Sequence, residues 1–299
     1  MNTTPTSQRA DRALVLGGGG AAGNAWLIGV LAGLSDAGLD VTDADLIVGT
    51  SAGATAAAQL AGAPLAELYA ATQAPIPQQA RPAGRPGGFD QKAHLDRMRA
   101  VIASASDARD MRRRIGAIAL EADAASDGTW SERWRATAAS RLPIQDWPAR
   151  RLLITAVDPV TGDGLALDRD SGVSLADAVA ASTSNGFSTP AHRVGDRRFI
   201  DGGYRRNENA DLAAGYARVL VLSPLGGRTM HPLEWGMQLA AQVDELRSGG
   251  SQVETILPGE ASLAAFGGNM MNLATRPAAA RAGFAQGAAL AASLTALWR

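Results

Sequence analysis

Short, unbroken apolar runs alternate along this chain with stripes of apolar residues at helical spacing. The first run, Ala13 to Leu16, empties into Gly17-Gly18-Gly19-Gly20-Ala21-Ala22-Gly23. Beyond it Trp26, Leu27, Val30, Leu31 and Leu34 fall on one face of a helix. That helix is expected to stop near Ala37-Gly38, because glycine is favoured just past a helix end. Leu46 to Val48 is the second run, and an alanine-rich helical stretch, Ala54 to Leu60, follows it. The order strand–loop–helix–strand–turn–helix predicts a right-handed crossover and a parallel pair of strands.

The pattern then changes. Pro75 to Gly88 is rich in Pro, Gly and Arg and reads as an irregular surface segment. Helical stretches are predicted at Asp90–Ser104, Ala108–Glu121 and Ser131–Ser140. They form an arginine-rich block, about residues 75–145, inserted into the α/β pattern. This block reads as a solvated helical face; a cap, or a basic surface for anionic head groups, is the alternative. Asp107, Asp110, Glu121 and Asp123 weigh against a basic surface. Arg151–Val157 predicts a strand, Asp158–Gly164 a hairpin turn and Leu165-Ala166-Leu167 its return. Ser174 is placed to cap a helix through Ala181, and Arg198-Phe199-Ile200 is a short strand. Val219–Leu222 and Glu254–Leu257 predict further strands, and Leu233–Arg247 and Pro277–Leu297 helices. No internal repeat and no boundary divide the chain, so one domain, 1–299, is expected.

The 299 residues, 46% of them hydrophobic, are enough for a sizeable core. A formal net charge of -1 argues against nucleic-acid binding. Lys92 is the sole lysine, so the basic residues are nearly all arginine. The absence of cysteine removes disulfides, thiolate metal sites and cysteine nucleophiles. The polar opening, Met1 to Arg12, lacks the basic and apolar regions of a signal peptide. No run reaches the ~18 apolar residues of a membrane span. The expectation is a cytoplasmic protein, with peripheral contact to a membrane surface left open.

Three features carry the chemistry. Gly49-Thr50-Ser51-Ala52-Gly53 lies between a strand and a helix, the setting of a nucleophile elbow. The turn is so tight that residues two places either side of the serine must lack a side chain. It lifts the Ser51 hydroxyl above the free N–H groups of the next helix. The glycine loop after the first strand brings further N–H groups towards something negative, an oxyanion or a phosphate. Gly18, Gly20 and Gly23 match a dinucleotide fingerprint, but that pattern needs an acidic residue ending the second strand. Asp43 and Asp45 precede that strand, which favours the oxyanion. The third feature is Asp201-Gly202-Gly203. Ser51 needs a base, and there are two candidates. Ser51…Asp201…His231 has the chain order of a hydrolase triad, although His231, in Met230-His231-Pro232, reads as a surface histidine. Asp201 alone can serve if it touches the hydroxyl in a dry pocket that raises its proton affinity.

Together these residues resemble the patatin-like phospholipases. That family pairs a glycine-rich loop, here Gly18-Gly19-Gly20-Ala21-Ala22-Gly23, with the Gly-x-Ser-x-Gly elbow and a later Asp-Gly-Gly. Ala180-Ala181-Ser182-Thr183-Ser184-Asn185-Gly186-Phe187-Ser188-Thr189-Pro190 and the polar stretch Asn207-Glu208-Asn209-Ala210-Asp211 resemble it too. The resemblance runs from about Arg12 to Ser223. It implies an α/β fold, a three-layer αβα sandwich with a largely parallel sheet. It implies hydrolysis of an acyl lipid ester through an acyl-serine, by a dyad of Ser51 and Asp201 with no histidine, metal or cofactor. Gly49, Gly53, Gly202 and Gly203 become the elbow and turn glycines. One departure is that the family's basic residue in the glycine loop is Ala22 here. Oxyanion stabilisation then falls to backbone N–H groups of Gly18, Gly19, Gly20, Ala21 and Ala22, with Ala52. Loss of one donor typically costs ~3 kcal/mol, so a weakly active lipid-binding protein is the rival expectation. Trp26 and the inserted block are expected to line the acyl groove.

Overall fold

The computed structural model describes residues 11–74, 91–187 and 189–299. The irregular segment expected at Pro75–Gly88 lies outside the described residues. Strand β1 (Arg12–Leu16) leads through the glycine loop to α1 (Gly20–Asp36), then β2 (Leu46–Gly49) and α2 (Ala52–Leu60). Helices α3 (Leu65–Gln73), α4 (Gln91–Ser104), α5 (Ala108–Ala124) and α6 (Thr129–Ala139) precede β3 (Arg151–Val157) and β4 (Gly164–Leu167). Then come α7 (Leu175–Ser182), β5 (His192–Val194), β6 (Arg197–Asp201) and β7 (Arg218–Leu222). Helix α8 (Leu239–Ser248), β8 (Gln252–Ile256), α9 (Glu260–Phe266) and α10 (Arg276–Trp298) complete the order.

The strands form one mixed sheet in the order β5-β6-β3-β2-β1-β7-β8, with β4 paired to β3 off that path. β1 lies parallel between β2 and β7, and β2–β3 and β7–β8 are also parallel. β6 runs antiparallel to β3, so that Asp201 stands opposite Ala156. Alternation of side chains along each strand divides the core into two layers. Leu14, Leu16, Ile47 and Leu220 face α1, α2, α7 and α10, whereas Ala13, Val15, Val48 and Val219 face α8 and the turn at Ala210–Ala213. The fold is α/β, helices on both faces of a largely parallel sheet. A third cluster joins α4 and α5 to the ends of β3 and β6 through Met98, Ile115, Val157 and Ile200.

Helix α1 is buried from Ala22 to Leu34. Its partner α10 lies so close that neither backbone tolerates a side chain at the crossing. A Cβ on Gly29 would stand 2.1 Å from the Ala280 carbonyl oxygen, and one on Gly33 2.0 Å from that of Phe284. The demand is reciprocal, since a Cβ on Gly287 would stand 2.1 Å from the Val30 carbonyl.

Several expectations need correcting. The helix expected at Leu233–Arg247 is broken: a short 3-10 turn, Leu233–Trp235, ends at Gly236 in the left-handed region, φ 63°, before α8 begins. Helices α3 and α9 and strand β5 escaped the pattern; α9 has 7 residues and β5 only 3, too short to display a period. The arginines at 112–114, on a face read as solvated, are all partnered. Arg113 and Arg114 both pair with Asp110, Arg109 pairs with Asp163, and Arg112 donates to the Gly162 carbonyl.

A Gly33→Val substitution drives a branched side chain into the α10 backbone. It is expected to lower unfolding free energy by about 1–3 kcal/mol in urea denaturation. Gly268→Ala, which meets nothing within 4 Å, stays within about 0.5 kcal/mol of the parent.

Candidate active site

The site lies beyond the carboxyl ends of β1 and β2, where ligands of open α/β sheets bind. Between β2 and α2 the chain reverses at Ser51, which holds φ 52° and ψ -111°. It is one of two non-glycine residues with positive φ among those described, the other being Asn209. The reversal brings backbone against backbone. A Cβ on Gly53 would stand 1.9 Å from the Leu16 carbonyl oxygen, and one on Gly49 2.7 Å from the Ala54 Cα. The Ser51 N–H donates to Ser182 Oγ at 2.9 Å.

Asp201 ends β6. Its backbone N–H donates to the Ser184 carbonyl, and its Oδ1 accepts the Gly203 N–H at 2.8 Å. The Ser51 hydroxyl approaches the same carboxylate. Burial pushes the Asp201 pKa up from 3.8 to about 7, against the Gly203 N–H and the Ser51 hydroxyl, which both favour the charged form. The serine and the aspartate, 150 positions apart in the chain, line one cleft of about 650 Å³.

Gly18, Gly19 and Gly20 line it as well. The expected set of amide donors needs revision. Gly18 N–H already donates to the Asn207 carbonyl at 3.0 Å, and Ala22 N–H to the Met270 carbonyl at 2.9 Å. Ala22 is fully buried, and neither it nor Ala21 lines the cleft. The N–H groups of Gly19 and Gly20, and that of Ala52 at the start of α2, have no acceptor among the described residues. Gly19 and Gly20 line the cleft, and Ala52 adjoins it as the residue after Ser51.

A family model, patatin-like phospholipase, matches residues 14–214. The chain belongs to the patatin-like phospholipase family. The matched stretch takes in the glycine loop, the elbow, Asp201 and the inserted helices of this patatin-like chain. Comparison with curated proteins gives no match. Among solved structures the chain is similar to VipD from Legionella pneumophila, with 14% sequence identity and a TM-score of 0.46, over 95% of this chain and 67% of that one.

The walls of the cleft are largely apolar, with Asn185, Asn207 and Arg228 among them. Leu95 and Met98 come from α4, so the inserted block contributes to the cavity instead of standing wholly in solvent. Met237, Met270 and Met271 come from late loops, and no spacing in the sequence signals them. Trp26, expected on the groove, is buried in the core, where its indole N–H donates to Ser262 Oγ at 3.0 Å.

His231 does line the cleft and is half-buried there. Its Nδ1 shares a 2.6 Å hydrogen bond with Thr229 Oγ1, and its ring stacks on Trp235. Its Nε2 is buried without a partner among the described residues, and nothing bonds it to Ser51 or Asp201. Burial, aided by the Arg112 charge, pushes its pKa down to about 4. His192 is buried beside Asp177, away from the cleft. The dinucleotide alternative fails on geometry. Asp45 accepts the N–H groups of Asp11 and Arg12 at the opposite end of the sheet, and Asp43 pairs with Arg12 there.

Because the Asp201 pKa is raised, the folded protein holds this proton better than the unfolded chain. The associated stability is complete below about pH 4 and is lost as pH rises towards about 7. Asp201→Asn keeps the acceptor for Gly203 and removes the titration. Its melting temperature is expected to equal the wild type's at pH 4 and to exceed it by a margin that grows up to about pH 7, measured by calorimetry.

Proposed function

We propose that this chain hydrolyses carboxylic esters of acyl lipids, phospholipids or related species, through a dyad of Ser51 and Asp201. The observation that supports this most is a single one. A serine in a strained turn meets a carboxylate whose pKa is lifted to about 7, beside unpaired amide N–H groups in an apolar cleft. An ordinary aspartate is too acidic to draw a proton from serine; burial corrects that.

The reaction then runs in two halves. Asp201 takes the Ser51 proton as Oγ bonds to the ester carbonyl carbon, and the carbonyl electron pair moves onto oxygen. Gly19, Gly20 and Ala52 donate to that oxyanion. Its collapse breaks the bond to the alcohol, which leaves with the proton from Asp201. Water next gives its proton to Asp201 and its oxygen to the acyl carbon. Ser51 departs, regains the proton, and the fatty acid is free.

A lipid surface suits the mouth of the cleft. Leu225, Met230 and Met271, exposed by 38%, 45% and 59%, line it, and Leu233, exposed by 67%, follows two residues after the cleft-lining His231. Exposed apolar residues gathered around one opening mark a place where an apolar phase meets the protein. No helix among the described residues is long and apolar enough to cross a membrane, so the contact proposed is peripheral.

The expected kinetics with a p-nitrophenyl butyrate assay separate the readings. Asp201→Asn lowers kcat/KM by about 10²–10⁴-fold, and Ser51→Ala by at least as much, while His231→Ala stays within a few-fold. A Ser–His–Asp esterase would instead lose activity with His231. A weakly active lipid-binding protein would fail to label at Ser51 with a fluorophosphonate. The wild-type rate should rise with pH through about 7, as Asp201 becomes a free base, and then level off. Leu233→Asp is expected to lower the rate on phospholipid vesicles more than the rate on the soluble ester.

A further inference from the structure

Beneath the cleft lies a polar network that the reaction itself does not use. Asn209 is fully buried and holds φ 55° and ψ 38°, the left-handed region that Asn tolerates better than most side chains. Its Nδ2 lies 3.0 Å from Thr50 Oγ1, 3.2 Å from the Gly202 carbonyl oxygen and 2.6 Å from that of Arg206. Its Oδ1 accepts from Arg205 at 2.7 Å, and Arg205 is itself anchored on Asp211. A guanidinium only donates, so the carboxamide oxygen must face Arg205 and its two N–H groups are shared among Thr50, Gly202 and Arg206.

Thr50 is the residue before Ser51, and Gly202 the residue after Asp201. Thr155 completes the arrangement: its hydroxyl lies 2.9 Å from that of Thr50, and a Cβ on Gly202 would stand 2.2 Å from it. Thr50, Thr155 and Asn209 are each fully buried. One carboxamide is therefore hydrogen-bonded to the neighbours of both the serine and the aspartate, which reach it on separate elements.

We infer that Asn209 is a positioning residue that holds the Ser51 turn and the Asp201 turn at the separation proton transfer needs. The inference rests on the dyad reading given above. Proton transfer is steeply sensitive to the distance between donor and acceptor, and small misplacements cost much in rate. Buried hydrogen bonds to both turns resist such misplacement in a way that side-chain packing alone would not.

Asn209→Asp has the same shape and keeps Arg205 as a partner but can donate to neither turn. Asn209→Gly removes the carboxamide and keeps the left-handed backbone free of strain. Turnover of p-nitrophenyl butyrate is measured per Ser51 labelled by a fluorophosphonate, so that unfolded protein is not counted. Each variant is expected to lower kcat per labelled serine by about 10-fold or more, with KM within 2-fold. If Asn209→Asp fails to fold, Asn209→Gly carries the comparison. A purely structural role predicts fewer labelled molecules, each turning over at the wild-type rate, and that result overturns the inference. Ser51→Ala, assayed on the same ester per milligram of protein, keeps the two readings apart. Activity surviving there removes the dyad and the inference together. An inactive Ser51→Ala beside wild-type turnover at position 209 removes the inference alone.

Discussion

Ser51 can hold φ 52° and ψ -111° only because the chain around it presses backbone on backbone. With 1.9 Å between the Leu16 carbonyl oxygen and any Cβ at position 53, α2 and the end of β1 touch with nothing between them. Such conformations are costly for an L residue and persist where their surroundings leave no alternative. The rest of the site inherits this constraint. It aims the hydroxyl out of the turn, sets the Ala52 amide at the start of α2, and brings β1's glycine loop alongside.

The sheet supplies the remaining convergence. Parallel strands put the ends of β1 and β2 at one edge, whereas β6 enters against the grain and brings Asp201 to the flank of β3. Antiparallel entry is what lets a carboxylate so late in the chain face a serine so early. The same placement dries the carboxylate, and drying makes it basic. The amide donors are sorted by the same close packing. Asn207 and Met270 occupy the N–H groups of Gly18 and Ala22 and leave Gly19, Gly20 and Ala52 unclaimed. Ala22 sits in the core at a position where the family resemblance expects a cation, so backbone donors alone face the cleft in this loop.

What was legible in the sequence was what local chemistry writes there. Glycines at 49 and 53 around a serine, a solid apolar run before them and an alanine-rich stretch after them declare an elbow. Apolar runs declared β1, β2, β3 and β7, and Gly38 the end of α1. What stayed hidden depends on partners distant in the chain. Nothing near Trp26 reveals that Ser262 and Gln286 will enclose it. The spacing of Leu95, Met98 and Met270 does not distinguish a cavity wall from ordinary core. Whether the amide of Gly18 is free is decided by Asn207, and the meaning of Asn209 by Thr50 and Thr155. Met230-His231-Pro232 reads as a surface loop, and it is the stacking of His231 on Trp235 that half-buries the ring.

The embrace of α1 by α10 bears on how the molecule is made. Arg276 reaches Asn24 across 252 positions of sequence, so α1 waits for a helix synthesised far later in the chain. Until then the nascent chain carries an uncovered apolar helix whose Gly29 and Gly33 fit the backbone of a single late-arriving mate. Long-range closure of this kind is slow and invites aggregation. A chain released before residues 280–288 have emerged would leave α1 without its closest cover.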